Sequence, residues 1–324
     1  MTVTAIGDIH LEKLDHRINN FTPMVLTALR ATIKAALLRG TSAFVLVGDI
    51  FDSAHPSQTN IARFLDVLTD FDVPFYIPLG NHDFADRLTH SLVLTKWARK
   101  LNSNLRVVTK PKLIKVDGAT YQIQPHPYVQ DMSPKADFAF AHFAVNGARG
   151  ENGFTVRTNH QPKGNFVLGD FHEAQEGKIK KCVYEYVGSL TQLSWEESLK
   201  KSVLSIEDGE KVRHKVDLPY KLIKYTVGSN EELDKCKFEP NCYYYMKTKD
   251  GYVLPSGWSL EHPEVVRQAS VGKKKDKRAE ILAPEETFLH PLAHLEPYLL
   301  SKKVDAGVVK RAVALAEKIN IKAA

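Results

Sequence analysis

Aspartate, histidine and asparagine recur in five short groups along this chain, each directly after a short apolar run. The groups are Asp8-Ile9-His10, Gly48-Asp49, Gly80-Asn81-His82-Asp83, His142, and Gly169-Asp170-Phe171-His172. Carboxylate, imidazole and amide-oxygen donors suit borderline divalent cations such as Mn2+, Fe2+ or Zn2+. Two such cations ~3.5–4 Å apart clamp a phosphoryl group and acidify a water, which permits in-line attack by hydroxide at neutral pH. No serine or cysteine nucleophile motif competes, and no G-x-x-x-x-G-K-[ST] loop for ATP is present. Each group alone carries little, because an Asp-x-His triplet is common. The ordered set carries more. Of the 13 histidines, His10, His82, His142 and His172 are assigned to the site, and others such as His126 and His214 read as structural or surface residues.

These groups need a scaffold that delivers them to one place. Residues 3–6, 43–47 and 73–79 are strand-like runs, each ending at a glycine. Between the first two, Thr22-Pro23 reads as a helix start with Thr22 as N-cap. Val25, Leu29, Ile33 and Leu37 then follow at spacings of four, and Gly40 ends the helix. A second helix carries Ile61, Phe64, Leu65 and Leu68 after Ser57. The order is β-α-β-α-β, and further strands are expected at 112–116, 121–124, 138–141, 166–168 and 183–187. Asp208-Gly209 marks a hairpin between 203–206 and 211–216. In such α/β sheets, ligands bind beyond the carboxyl ends of the strands, where these groups fall.

The 324 residues allow two domains, or one large domain with an appendage. With 43% apolar and 25% charged residues, the composition excludes a disordered chain, a collagen-like repeat and a coiled-coil rod. No run of 18 apolar residues exists, so no membrane span is expected, and the first ten residues do not read as a secretory signal. Cys182, Cys236 and Cys242 do not form a disulfide framework, and a reducing cytoplasm is the expected compartment. The net charge of +6 is concentrated in Lys273, Lys274, Lys275, Lys277 and Arg278, a run read either as a solvated linker or as a phosphate-backbone contact. Strands of a different unit are expected at 220–227 and 242–247, beyond a boundary near Leu218-Pro219. A basic linker over 268–284 and short helices over 285–324 follow, including an amphipathic helix at 306–319.

The five groups, in this order, resemble the motifs of the calcineurin-like metallophosphoesterase superfamily over residues 1 to about 173. Asp49-Ile50-Phe51-Asp52 with His55-Pro56-Ser57, and the segment from Tyr186 to Glu196, are similar to SbcD-type nucleases. The resemblance implies a four-layered αββα sandwich over 1–218, a small α+β capping domain over 219–267 that selects DNA ends, and C-terminal helices. It implies that Asp8, His10, Asp49 and His172 hold one metal. Asp49 bridges to a second, held also by Asn81, His142 and Asp170. His82 is then the general acid, oriented by Asp83, while Gly188 and Ser189 shape the floor of the site. The family usually has Gly-His-x-His at the last motif, so Asp170 is a departure that raises the motif carboxylates from two to three.

The function implied is the nuclease subunit of an SbcC–SbcD-type complex, active as a double-strand exonuclease and single-strand endonuclease with two Mn2+, or Mg2+ in their place. Its implied partners are DNA, a coiled-coil ATPase subunit bound by the segment 285–324, and a second copy of the chain. A phage is one possible source. The alternative is a stand-alone phosphatase or phosphodiesterase of the same superfamily, and a third class is a scaffold with a decayed metal site.

Overall fold

The structure is a computed structural model that describes residues 2–84, 104–150, 153–249, 251–255 and 258–270. The Lys273–Arg278 run, most of the expected linker and the expected helices over 285–324 lie outside the described residues. All described residues belong to one unit, Met1–Lys273.

Two six-stranded sheets face each other. The first has the order β12-β11-β1-β2-β3-β4, built from β1 (Thr2–Ile6), β2 (Thr41–Leu46), β3 (Phe75–Pro78), β4 (Leu105–Val108), β11 (Ser202–Glu207) and β12 (Glu210–Lys215). Strands β1 to β4 run parallel, and β11 and β12 add an antiparallel edge. The second sheet has the order β5-β6-β7-β8-β10-β9, from β5 (Lys112–Val116), β6 (Ala119–Gln124), β7 (Phe138–His142), β8 (Gly164–Gly169), β9 (Gln175–Ile179) and β10 (Cys182–Tyr186). Here β6, β7, β8 and β10 are parallel, and the two edge strands are antiparallel.

Strand alternation builds the layers. Val3 and Ala5 point with Val45, Ile123, Phe140 and Val167 into the core between the sheets. On the other face of the first sheet, Phe44, Leu46, Phe75 and Ile77 pack against two helices, α1 (Phe21–Leu38) and α2 (Gln58–Thr69). The outer face of the second sheet carries Ala141, Phe166, Leu168 and Tyr186, covered by Phe143, Val145 and Ala148 from irregular chain. Arg213 of β12 ties the sheets together, donating to the carbonyls of Tyr186 (2.7 Å) and Val187 (3.1 Å).

Helix α1 is long and apolar enough to cross a membrane by length and composition. Its pattern is that of a core helix, with Phe21, Val25, Leu29 and Ile33 fully buried at spacings of four. The expectation that Thr22 is its N-cap is corrected. Asn20, in the left-handed region at φ 61°, precedes the helix, and Thr22 lies inside the first turn. The Thr22 hydroxyl instead accepts from the Glu12 amide and donates to Asp15, both at 2.9 Å, tying the loop after β1 to the helix. Ser57 does cap α2, accepting from the Asn60 amide at 3.2 Å.

A third sheet is small and all parallel: β13 (Lys221–Val227), β14 (Cys242–Thr248) and β15 (Val265–Ser270), in that order. The short helices α3 (Asn230–Asp234) and α4 (Trp258–Glu261) connect them. Its third strand runs to Ser270, so residues 268–270 are strand where linker is expected. Leu222 and Tyr245 join the helix-side core of the main sandwich. Trp195 Nε1 donates to the Tyr243 carbonyl at 3.0 Å, and Gln192 Oε1 accepts from the Leu222 amide at 2.8 Å.

Candidate metal centre

The loops after β1 and β2 are zipped together. The amides of Ile9 and His10 both donate to the Asp49 carbonyl at 3.0 Å, and Leu11 donates to Ile50 at 3.0 Å. The cost is backbone conformation. His10 (φ 45°), Asp49 (φ 49°) and Asp170 (φ 95°) all sit in the left-handed region, unusual for residues with a Cβ. Such residues cluster at sites where the surroundings over-determine the backbone. Gly48, at φ 89°, shows why the turn before Asp49 needs glycine: a Cβ there would overlap the His142 ring.

The loop after β3 locks onto the same turn. The buried Asp83 accepts from the amides of Gly80 (2.8 Å) and Asp49 (3.1 Å), and Asp49 Oδ1 accepts from the His82 amide (2.9 Å). These bonds of Asp83 act on the backbone of the loop. His82 Nδ1 donates to the carbonyl of Asp52 at 2.9 Å, and Asp83 shapes the loop that carries Asp49 and His82.

Four imidazoles meet here, and each has its Nδ1 tied. His142 Nδ1 donates to the Val47 carbonyl (2.7 Å), His10 Nδ1 to Asp52 Oδ1 (3.0 Å), and His172 Nδ1 to Glu197 Oε1 (3.1 Å). A carbonyl or carboxylate can only accept, so these bonds place a proton on Nδ1 and turn Nε2 to the centre. The Nε2 atoms converge. His10 Nε2 lies 3.2 Å from His172 Nε2, and both His10 Nε2 and His142 Nε2 lie 3.4 Å from Asp49 Oδ2. His142 Nε2 also lies 2.7 Å from Asn81 Oδ1 and 3.9 Å from Asp170 Oδ1. Asp8 Oδ1 accepts from the Asp170 amide (3.0 Å), while Asp8 Oδ2 is buried without a hydrogen-bond partner.

An orphaned buried carboxylate oxygen is costly without a cation. The donor set fits divalent metal. Candidate ligand atoms of Asp8, Asp49 and His142 lie within 4.8 Å of one another, as do those of His10, Asp49 and His82, and Asp49 is common to both groups. Behind the ligand atoms stand acceptors that fix the ring tautomers, the usual arrangement around metal-binding histidines.

The electrostatics match a cation site. Burial works to lower the His142 pKa, but the charge of Asp49, its hydrogen bond and the charges of Asp8 and Asp170 outweigh it and hold the pKa well above the ordinary value. Burial likewise opposes protonation of His10, and its bonds to Asp49 and Asp52 raise its pKa overall. Burial pushes the carboxyls of Asp8 and Asp170 up. Asp49 goes the other way: burial is overcome by His142 and His10, and its carboxyl falls well below the usual range.

All of Asp8, His10, Asp49, Asn81, His82, His142, Asp170 and His172 are thus brought to one place. Two functional neighbours are absent from that set. Asp52 holds His10 and also accepts from Lys13 Nζ at 2.9 Å, and His10 and Lys13 together overcome burial and set its pKa at about 2. Glu197 holds His172, and burial there is overcome by His172 and Lys201, again giving a pKa of about 2. Asp52 stands in the Asp49–Asp52 motif, three residues from Asp49. Glu197 has no local signal, since 25 residues separate it from His172.

The family model for calcineurin-like phosphoesterases matches residues 1–163. That span holds Asp8, His10, Asp49, Asn81, His82 and His142, and geometry adds Asp170 and His172 beyond it. No curated protein matches the sequence.

Proposed function

Since the chain belongs to the calcineurin-like phosphoesterase family, and so is a metal-dependent phosphoester hydrolase, we propose that it is a DNA phosphodiesterase, the nuclease subunit of an SbcC–SbcD-type complex. The observation that carries this is the segment from Tyr186 to Glu196, which resembles SbcD-type nucleases and is built into the site. Ser189 donates its amide to the His172 carbonyl at 3.0 Å, while Gln192 and Trp195 bind the small third sheet. A sheet fastened so close to the centre suits a substrate larger than a phosphomonoester.

Asp49 offers an oxygen to both groups of ligands. His10 and His172 complete one side, and Asn81, His142 and Asp170 the other, with Asp8 near His142. Two divalent cations held there supply Lewis acidity to the phosphoryl group and to the attacking water. Three carboxylates, Asp8, Asp49 and Asp170, favour a harder ion such as Mn2+ or Mg2+ over Zn2+. His82 is half-buried, and the Asp52 carbonyl holds its Nδ1 proton. With Nδ1 so held, the ring acts as general acid in its doubly protonated form, giving the Nε2 proton to the leaving 3′ oxygen. The neighbouring sheet selects DNA ends, the segment 285–324 docks on a coiled-coil ATPase subunit, two copies assemble, and the complex works in the cytoplasm.

Digestion of linear duplex and single-stranded circular DNA with Mn2+, beside a chromogenic phosphomonoester, tests this. DNA cleavage with little monoester turnover is expected. Monoester turnover with intact DNA overturns it in favour of a stand-alone phosphatase.

A further inference from the structure

Behind His172 lies a buried ion pair. The side chains of Glu197 and Lys201 are each 2% exposed, and Lys201 Nζ meets Glu197 Oε2 at 2.6 Å. Such pairs are weak stabilising devices, because their desolvation offsets their attraction, and apolar replacements are often neutral. Stability alone does not account for this one.

The hydrogen bonds of the pair point elsewhere. Lys201 Nζ spends its other two protons on Ser189 Oγ (2.8 Å) and the His172 carbonyl (3.0 Å). Glu197 Oε2 also accepts from the Leu193 amide (3.1 Å), which fixes the carboxylate plane and leaves Oε1 for His172 Nδ1. His172 is therefore gripped at two points, its carbonyl by Lys201 and its ring by Glu197. The facing imidazole has a parallel arrangement: His10 Nδ1 binds Asp52, which binds Lys13. Asp52 is a third exposed, so water can substitute for it, whereas the Glu197 pair is closed to solvent.

We propose that Glu197, held in place by Lys201, is a positioning residue that locks the His172 ring with its proton on Nδ1 and its Nε2 lone pair turned to the metal. Given His172 as a ligand, on which this rests, a carboxylate does what a carboxamide does not. It accepts only, so it requires a proton on Nδ1, and its charge raises the basicity of Nε2. Residues 188–197 thereby connect the small third sheet, through Gln192 and Trp195, to one metal ligand.

The test uses the full chain stripped of metal. Nitrogen-15 NMR of the wild type reads the His172 tautomer, and calorimetry reads Mn2+ affinity and stoichiometry. The variants are Glu197→Gln, Glu197→Leu with Lys201→Met, and His172→Ala. The wild type should hold the proton on Nδ1. Both Glu197 variants, folded by thermal melting, should mix tautomers and bind Mn2+ ~10–100-fold more weakly at one of two sites. The double variant removes both charges, so it leaves no unpaired buried ion to unfold the chain. Wild-type affinity in a folded Glu197 variant overturns the positioning role, and so does a wild-type His172 protonated on Nε2. Unchanged two-site binding in His172→Ala instead overturns the ligand assignment.

Discussion

His10 Nε2 and His172 Nε2 stand 3.2 Å apart while their Nδ1 atoms donate to Asp52 and Glu197. With both Nδ1 protons committed outward, the two Nε2 atoms are turned to the space that a cation would fill. Metal binding should therefore stabilise the fold. Mn2+ at 100 times its dissociation constant adds ~2.7 kcal/mol. For a chain of this size that raises Tm by roughly 4 °C. A thermal melt with and without Mn2+, reversed by chelator, reads the shift, and no shift counts against the site.

His82→Asn should separate chemistry from metal. The side chain leaves, but the amide that donates to Asp49 Oδ1 remains. Both ions should bind as in the wild type, while cleavage falls ~10²–10⁴-fold. Loss of one ion by calorimetry would make His82 a ligand instead, as its nearness to His10 and Asp49 permits.

Asp49→Asn and Asp170→Asn should differ in stoichiometry. Asparagine tolerates the left-handed backbone at both positions, so each change removes charge with little strain. One unit charge at ~4 Å from a single cation charge is worth about 4 kcal/mol at an effective dielectric of ~20. Asp49→Asn should weaken both ions, and Asp170→Asn one of them, each by at least ~10²-fold. Calorimetric titration with Mn2+ distinguishes the two. Unaltered binding in Asp170→Asn would leave Asp170 only its amide bond to Asp8.

The candidate ligands were legible because each group follows a short apolar run, which for Asp8, Asp49, Asn81 and Asp170 ends at glycine. Val3, Ala5 and Ile6 read plainly, and Asp8 and His10 come next; the same holds for Asp49 and Asn81. What supports them was not. Glu197 reaches His172 only because β8 and the chain before β11, which belong to different sheets, are brought together by the packing of the two sheets, which no local spacing encodes. Asp83 reads as a carboxylate beside a histidine, yet burial directs it to two backbone amides. Thr22 has the right neighbour for a cap, but Asp15 and Glu12 claim its hydroxyl. Strand β9 was missed because its half-exposed edge, Gln175–Ile179, carries little apolar signal.

Cys182 offers a check on the second sheet. Burial, only partly offset by the charge of Lys211, pushes its thiol up to about 11. An ordinary cysteine titrates near ~8.5. At pH 8.5 the Cys182 thiolate should therefore be ~100-fold scarcer than that of a free thiol, with alkylation slowed at least as much. Its rate should climb through pH 11, or jump on unfolding. Mass spectrometry after iodoacetamide treatment reads this, and rapid native labelling at pH 8 would show that the strand end opens.

The most direct measurement is anomalous scattering from a crystal of the chain soaked in Mn2+. The account predicts two peaks ~3.5–4 Å apart flanking Asp49. One should lie beside His10 and His172, the other beside Asn81, His142 and Asp170. A single peak, or a pair that leaves Asp49 to one side, would contradict a centre bridged by Asp49.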